Sequence, residues 1–150
     1  MRILGLDFGS KTVGVAVTDP LGITAQGVGI IRREKETHLR PTFRRIGELI
    51  DHYGVESIVL GLPLNMDDTM GDRAEKTLAF KEELERKFSL PVFLVDERLT
   101  TVEADLAMEE AGIPRRDFKK YVDMIAAVII LRDYMNNDQG ASHSAPTDSV

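Results

Sequence analysis

The sequence contains no cysteine, which excludes disulfide bridges, thiolate zinc sites and cysteine nucleophiles. Long apolar runs are also missing, because the longest is Met124 to Leu131 and a membrane span needs roughly 20 residues. An acidic residue interrupts the first apolar stretch before it reaches the length of a signal core. We therefore expect a cytoplasmic protein with no membrane partner. Histidine is scarce and scattered, and no role is assigned to His38, His52 or His143.

Positive charge is also scarce, and the formal net charge is -6 at pH 7. Nonspecific attraction to nucleic acid scales with the number of phosphates that Lys and Arg neutralise, so any contact with nucleic acid must be local. Two basic clusters are candidates for such a contact, the alternative for each being a solvated charged face. The first contains Arg32, Arg33, Lys35, Arg40, Arg44 and Arg45, and the second contains Arg115, Arg116, Lys119 and Lys120.

The chain has 150 residues, enough for one domain with a real core. We predict this domain over residues 1–136 and a disordered tail over 137–150, where the sequence is small, polar and unpatterned. Hydrophobic periodicity and turn signals predict strands at 2–7, 12–18, 23–31, 57–61 and 92–95, and helices at 39–53, 71–88, 100–112 and 119–135. An antiparallel hairpin followed by crossover units predicts a mixed five-stranded sheet with helices on both faces.

Acidic residues end two of the predicted strands. Asp7 follows Ile3, Leu4 and Leu6, and Asp96 and Glu97 follow the strand at 92–95. Ligands of open sheets bind beyond the carboxyl ends of parallel strands, so these carboxylates are candidates for a shared site. Because side chains alternate along a strand, one acid of the later pair faces Asp7; we favour Glu97, with Asp96 in support. The structural alternative for Asp7 is a turn or capping role.

Asp123 lies inside the last predicted helix, on the same face as Ala126 and Ala127. These small residues would let the helix approach the sheet and present the carboxylate to the strand ends. The alternative is a salt bridge from Asp123 to Lys119 or Lys120.

Three carboxylates with no cysteine and no histidine cluster suit a hard cation, Mg²⁺ or Mn²⁺. Two such ions, about 4 Å apart, activate water on one side of a phosphodiester and stabilise the leaving oxygen on the other. Lys11 in the first turn, Asn65 in the loop after the fourth strand and Arg98 beside Glu97 are the polar groups best placed to hold phosphates.

Four blocks of the sequence, in order over residues 3 to about 131, resemble the YqgF family, also called RuvX-like Holliday junction resolvase homologues. They are LGLDFGSK at 4–11 with GVA at 14–16, GLPLNMD at 61–67, VDERLTT at 95–101, and Lys120 with Asp123, Ala126 and Ala127. The resemblance implies a ribonuclease H-like fold and a metal-dependent nuclease acting on structured RNA or branched DNA. It also implies a role in maturing the leading end of the small-subunit ribosomal RNA precursor, pre-16S rRNA, with Asp7, Glu97 and Asp123 as the acidic site.

Two other functions are compatible with parts of the sequence. The opening residues 7–10 are similar to the phosphate loop of actin-like ATPases, but those proteins need a duplicated domain, and no second phosphate loop is seen. A non-catalytic module that binds RNA or a protein partner in ribosome assembly or transcription is the stronger alternative. A resolvase acting on a two-fold junction is expected to form a homodimer, whereas an RNA-trimming enzyme need not.

Overall fold

The computed structural model describes residues 1–64, 67, 70–97 and 101–144 of the chain. Its strands are β1 Arg2–Phe8, β2 Thr12–Thr18, β3 Ala25–Arg32, β4 Val55–Leu62 and β5 Val92–Asp96. Its helices are α1 Arg40–Tyr53, α2 Asp72–Phe88, α3 Thr101–Glu110 and α4 Phe118–Ser144, with a short 3-10 helix at Arg115–Asp117 before α4. The predicted order and type of these nine main elements are confirmed.

The five strands form one mixed sheet in the order β3-β2-β1-β4-β5. β1 pairs with β2 and β2 with β3 in antiparallel fashion, while β1 with β4 and β4 with β5 run parallel. The carboxyl ends of β1, β4 and β5 therefore lie along one edge of the sheet. This arrangement confirms the predicted fold class.

The two faces of the sheet carry different side chains because residues alternate along each strand. On the first face, Leu4, Leu6 and Phe8 of β1 pack with residues of α1 and α2, among them Ile46 and Phe80. Each fully buried leucine there stabilises the fold by about 1.5–3 kcal/mol. This face is an apolar core with no acidic member.

The second face is covered by α4 and is lined by smaller residues. Ala16 of β2 and Val59 of β4 pack there with Ala127, Ile130 and Leu131 of α4. Asp7 follows the alternation of β1 and belongs to this face, together with Gly5. The helix that carries Asp123 therefore lies directly over the strand that carries Asp7.

The helix α4 ends later than predicted. It runs to Ser144, whereas the sequence pattern ended it at Met135 and assigned residues 137–150 to a disordered tail. The predicted helix end at Met135 was wrong, because no proline occurs between Met135 and Pro146 to remove a backbone donor from the helix. The division into a domain at 1–136 and a tail stays a prediction. Residues 145–150 and Thr100, where the pattern began the third helix, lie outside the described residues.

No helix in the described parts of the chain has the length and apolar character needed to cross a membrane.

Candidate active site

Three carboxylates from distant parts of the chain meet at the edge where the parallel strands end. Asp7 is the penultimate residue of β1, Glu97 follows β5 directly, and Asp123 lies in the second turn of α4. The backbone amide of Glu97 donates to the carbonyl of Leu62 at 2.9 Å, which extends the pairing of β4 and β5 by one residue. Sheet topology therefore places Glu97 beside the end of β4, at the same edge as the end of β1.

Asp7 and Glu97 are joined by a side-chain hydrogen bond, which raises the pKa of Asp7 and lowers the pKa of Glu97. Burial is the main cause that raises the pKa of Asp7 well above its usual range, and the negative charges of Glu97 and Asp123 raise it further. Burial also raises the pKa of Glu97, although the hydrogen bond from Asp7 opposes the increase. The shared proton thus relieves repulsion between two buried acids.

Asp123 is held by a residue of the opposite end of the chain. The hydroxyl of Thr12 donates to its Oδ2 atom at 2.8 Å. Among the ion pairs of the described residues, none joins Asp123 to Lys119 or Lys120, so the salt-bridge alternative is wrong. The charge of Asp123 raises the pKa values of both Asp7 and Glu97, so the three acids lie within electrostatic reach of one another.

Two glycines of the sheet make room for these acids. A Cβ at Gly14 of β2 would lie 1.8 Å from the backbone carbonyl oxygen of Asp123, and one at Gly61 of β4 would lie 2.9 Å from Oε1 of Glu97. A side chain at Gly14 would displace the backbone of Asp123, and one at Gly61 would press on Ile130 of α4 and on the side chain of Glu97. The close approach of α4 thus depends on glycines of the sheet as well as on Ala126 and Ala127 of the helix.

One positive charge acts on the cluster from the other face. Arg73 of α2 lowers the pKa of Asp7, but less than burial and the two neighbouring acids raise it. Its Nη1 atom contacts Oε2 of Glu36 at 2.9 Å and its Nη2 contacts the carbonyl of Phe8 at 3.4 Å. Within the described residues, the positive charge of Arg73 therefore compensates the negative charge at the site only in part.

The donor set fits a hard divalent cation, because all three groups offer oxygen and two of them are buried acids that repel each other. Among the described residues, no three histidine, cysteine or acidic side chains are placed so that they could hold a metal ion as they stand. The hydrogen bond between Asp7 and Glu97 is consistent with this, since a proton holds these two carboxylates together. A metal-binding form requires that this proton leave.

Asp96 lies beside this cluster and not within it. It lines a cavity of about 190 Å³ together with Glu97, Glu103 and Asp133. Burial and the charge of Glu103 raise the pKa of Asp133. The charges that raise the pKa of Asp7 come from Glu97 and Asp123 alone, so Glu97 is the member of the pair that meets Asp7.

The predicted phosphate-binding residues fall into two groups. The first group lies among the described residues and is exposed to solvent. It contains Lys11 in the β1–β2 turn, and Arg115, Arg116, Lys119 and Lys120 around the start of α4. Lys119 and Lys120 precede Asp123 by about one helical turn, which puts them near the acidic edge. The second group, Asn65 and Arg98, lies outside the described residues.

Arg33 differs from the other members of the first basic cluster. It is 8% exposed, whereas Arg32, Arg40 and Arg44 are exposed. Assigning it to a solvated face was wrong, because its guanidinium bonds to backbone carbonyls inside the protein.

Sequence reasoning missed Thr12, Gly14, Gly61, Arg33 and Arg73 as parts of the site. Only the glycines gave a signal, since a glycine inside a strand indicates close approach of another backbone.

A family model described as RuvX, Holliday junction resolvase, matches residues 1–137. Curated relatives share the name "Putative pre-16S rRNA nuclease". The relative from Lachnospira eligens is 55% identical over 93% of this chain and 99% of its own length. The relatives from Agathobacter rectalis and Clostridium acetobutylicum are 57% and 48% identical, each over 91% of this chain and over 95% and 99% of their own lengths.

Solved structures support the fold assignment. RuvC of Thermus thermophilus in complex with a Holliday junction substrate aligns with a TM-score of 0.60 and 14% identity, over 93% of this chain and 97% of RuvC. A second structure of Thermus thermophilus RuvC gives a TM-score of 0.57 at the same coverage. At this identity the likeness establishes the ribonuclease H-like fold alone.

Proposed function

The chain belongs to the RuvX family of Holliday junction resolvases, and from this premise we propose that Asp7, Glu97 and Asp123 form the metal-binding centre of a nuclease. The observation that carries the proposal is the meeting of these three acids, from β1, β5 and α4, at one edge of the sheet. Burial first, and then repulsion from Glu97 and Asp123, raise the pKa of Asp7, as expected of carboxylates arranged to receive a cation.

Mg²⁺ or Mn²⁺ is the cofactor that this oxygen-only set would hold, with Asp96 at most a supporting residue. When bound, two such ions would activate water and stabilise the leaving oxygen of a phosphodiester, so no protein nucleophile is needed. Asp7 gives up the proton that it shares with Glu97, and Thr12 holds one oxygen of Asp123 in place. The protein thus contributes the position and charge of three carboxylates.

The substrate that we propose is structured RNA, specifically the 5′ end of pre-16S ribosomal RNA. The names of relatives 48–57% identical over nearly their full lengths support this choice. Branched DNA is the second candidate, which the family description and the fold shared with RuvC favour. Ribosomal RNA precursors of bacteria are processed in the cytoplasm, where we place the protein. A homodimer is required only for the two-fold DNA junction.

Exposed cations near the acids would hold the phosphates. Lys119 and Lys120 of α4, with Arg115 and Arg116 just before it, project from the helix that carries Asp123. Lys11 is exposed in the turn that follows Asp7. In a protein of net charge -6, this local placement supports contact with nucleic acid at the site rather than over the whole surface.

Cleavage assays on two substrates test the proposal. Purified protein is incubated with Mg²⁺ or Mn²⁺ and either an RNA spanning the 5′ end of pre-16S rRNA or a four-way DNA junction. We expect metal-dependent cleavage by the wild type, cutting of the RNA at the mature end, and loss of activity in Asp7→Asn and Asp123→Asn. The matched control is Asp51→Asn, an exposed position at the end of α1, which should cleave like the wild type.

The outcomes separate the candidates. Cleavage of the junction but not of the RNA would replace the RNA substrate with branched DNA. A folded wild-type protein that cleaves neither substrate with either metal, yet binds the RNA, would support the non-catalytic binding module instead.

A further inference from the structure

Arg33 is a buried arginine in the segment after β3, with only 8% of its surface exposed. Its Nη2 atom donates to the carbonyl of Gly9 at 2.7 Å, and its Nε donates to the carbonyl of Glu36 at 3.0 Å. Burying a guanidinium is costly unless its donors are satisfied, and Nη1 has no hydrogen-bond partner. The protein therefore keeps Arg33 inside at a cost in stability.

Arg73 of α2 is a second guanidinium at the same turn. It donates to the carbonyl of Phe8 at 3.4 Å, so the two arginines hold two consecutive carbonyls directly after Asp7. Both guanidinium carbons lie over the Phe8 ring, at 5.0 Å for Arg33 and 5.1 Å for Arg73. We call Arg33 and Arg73 the arginine clamp.

The clamp brings two like charges together, which opposes folding. Glu36 offsets part of this repulsion, since its carboxylate contacts Arg73 at 2.9 Å and Lys76 at 3.0 Å. The ring of Phe8, which both arginines contact, also stacks on the ring of Phe80, with centroids 3.9 Å apart. This stacking helps to hold Phe8 in place. Two neighbouring positive charges and a buried donor without a partner both reduce stability. Proteins that retain such unfavourable features typically do so at functional sites.

A chain of hydrogen bonds leads from the clamp to Asp123. The backbone amide of Arg33 donates to the carbonyl of Lys11 at 2.9 Å, and the amide of Gly9 donates to the carbonyl of Thr12 at 2.7 Å. The hydroxyl of Thr12 then donates to Asp123 at 2.8 Å. The turn that the clamp fixes thus begins next to Asp7 and ends at Thr12, which holds Asp123.

We infer that Arg33 and Arg73 are positioning residues that fix the β1–β2 turn and thereby set the places of Asp7 and Asp123 at the metal centre. The inference rests on the proposed function, because it assigns the clamp to the same site. Arg33 acts through the carbonyl of Gly9, and Arg73 through that of Phe8. The burial of Arg33 argues against a direct contact with substrate phosphate.

Replacing Arg33 with lysine tests the inference, because lysine keeps the charge but cannot donate to two carbonyls from a fork. Binding of Mn²⁺ alone is followed by electron paramagnetic resonance, and kcat and KM are measured with saturating Mn²⁺. We expect Arg33→Lys to weaken Mn²⁺ binding by about 10-fold or more, as supporting residues of metal ligands do. We also expect kcat to fall by about 10-fold while KM for the nucleic acid stays within about two-fold.

Arg86→Lys is the matched control, since Arg86 is an exposed arginine of α2 that pairs with Glu83 and belongs to neither basic cluster. It should bind Mn²⁺ and cleave like the wild type. Thermal melting of each variant shows whether the fold is intact. If Arg33→Lys does not fold, Arg73→Lys replaces it, because the side chain of Arg73 is 32% exposed and a lysine there can keep its charge in water.

The results distinguish failure of the inference from failure of the proposed function. If the wild type neither binds Mn²⁺ nor cleaves any substrate, both the proposed function and the inference are refuted. If the wild type binds Mn²⁺ and the folded clamp variants bind it equally well, the inference alone is overturned. A higher KM with unchanged Mn²⁺ affinity also overturns it, because it would make the clamp a substrate contact.

Discussion

Gly14 of β2 lies against the backbone carbonyl of Asp123 so closely that a Cβ on the glycine would be 1.8 Å from the carbonyl oxygen. The neighbouring Thr12, two residues earlier and on the same face of β2, donates its hydroxyl to the side chain of Asp123. Strand β2 therefore fixes both the backbone and the carboxylate of the acid on α4. The position of Asp123 is set by the sheet rather than by its own helix.

Gly14→Ala should displace α4 and weaken the fold. The added methyl meets backbone rather than the end of a flexible side chain, so we expect a loss of about 1–3 kcal/mol or more in the free energy of unfolding. Nuclease activity should fall by more than the fraction of unfolded protein explains, because Asp123 moves with the helix. Urea denaturation and cleavage assays measure the two effects.

Gly47→Ala is the control for that substitution. Its Cβ would meet only the ring edge of Phe88 at 3.1 Å, and alanine is favoured over glycine inside a helix by about 1 kcal/mol. A Gly14→Ala protein that unfolds and cleaves like the wild type would contradict the close approach of α4.

Thr12→Val should reduce activity with little effect on folding. Valine keeps the shape and strand preference of threonine but removes the hydroxyl that holds Oδ2 of Asp123, a bond that contributes about 1 kcal/mol. We expect weaker Mn²⁺ binding and a kcat lower by about 10-fold. Thr12→Ser keeps the donor and should retain most of the activity. Equal activity of the valine and serine variants would show that the hydroxyl has no role.

Asp7→Asn should abolish cleavage and yet stabilise the metal-free protein at neutral pH. The pKa of Asp7 is raised in the folded state, so its ionisation costs stability as pH rises from the unfolded pKa through the folded pKa. Asparagine carries no charge and avoids this cost. In EDTA we expect the Tm of the variant to exceed that of the wild type by a few degrees at pH 8.

The advantage of Asp7→Asn should disappear towards pH 4, where the carboxyl is protonated in the folded protein. Melting curves from pH 4 to pH 8 measure the difference. A variant that is less stable than the wild type at pH 8 without metal would contradict the repulsion described for the three acids.

Replacing Lys119 and Lys120 with glutamine should weaken substrate binding without changing kcat. Each lost phosphate contact reduces the slope of log binding constant against log salt concentration by about 1. In the double variant this slope should therefore be smaller in magnitude by up to about 2. Lys81→Gln on α2 is the control, since Lys81 pairs with Glu85 away from the acids. An unchanged salt slope in the double variant would place the nucleic acid elsewhere.

Most of the fold could be predicted because its signals are local. The valines of β2 predict a buried strand, and the stepped apolar residues of α1 indicate which face of that helix is buried. Gly54 ends α1 in the left-handed conformation with φ of 64°. The end of α4 was less predictable, because its polar last turns lack both an apolar stripe and a strong stop signal.

The acids of the site were also predictable, since the carboxyl ends of parallel strands share one edge. The residues that hold them were not. Thr12 and Asp123 are 111 positions apart, and the burial of Arg33 depends on a turn formed by other residues. Contacts of this separation leave no periodic pattern in the sequence.

The placement of Asp123 on the last helix has a consequence during synthesis. Residues emerge from the ribosome in chain order, and domains fold as their parts become available. A nascent chain that already carries β1 and β5 lacks the third acid and the helix that covers that face of the sheet. The proposed metal centre therefore cannot form before translation has passed β5 and reached α4, and a shorter nascent chain holds at most two of its three acids.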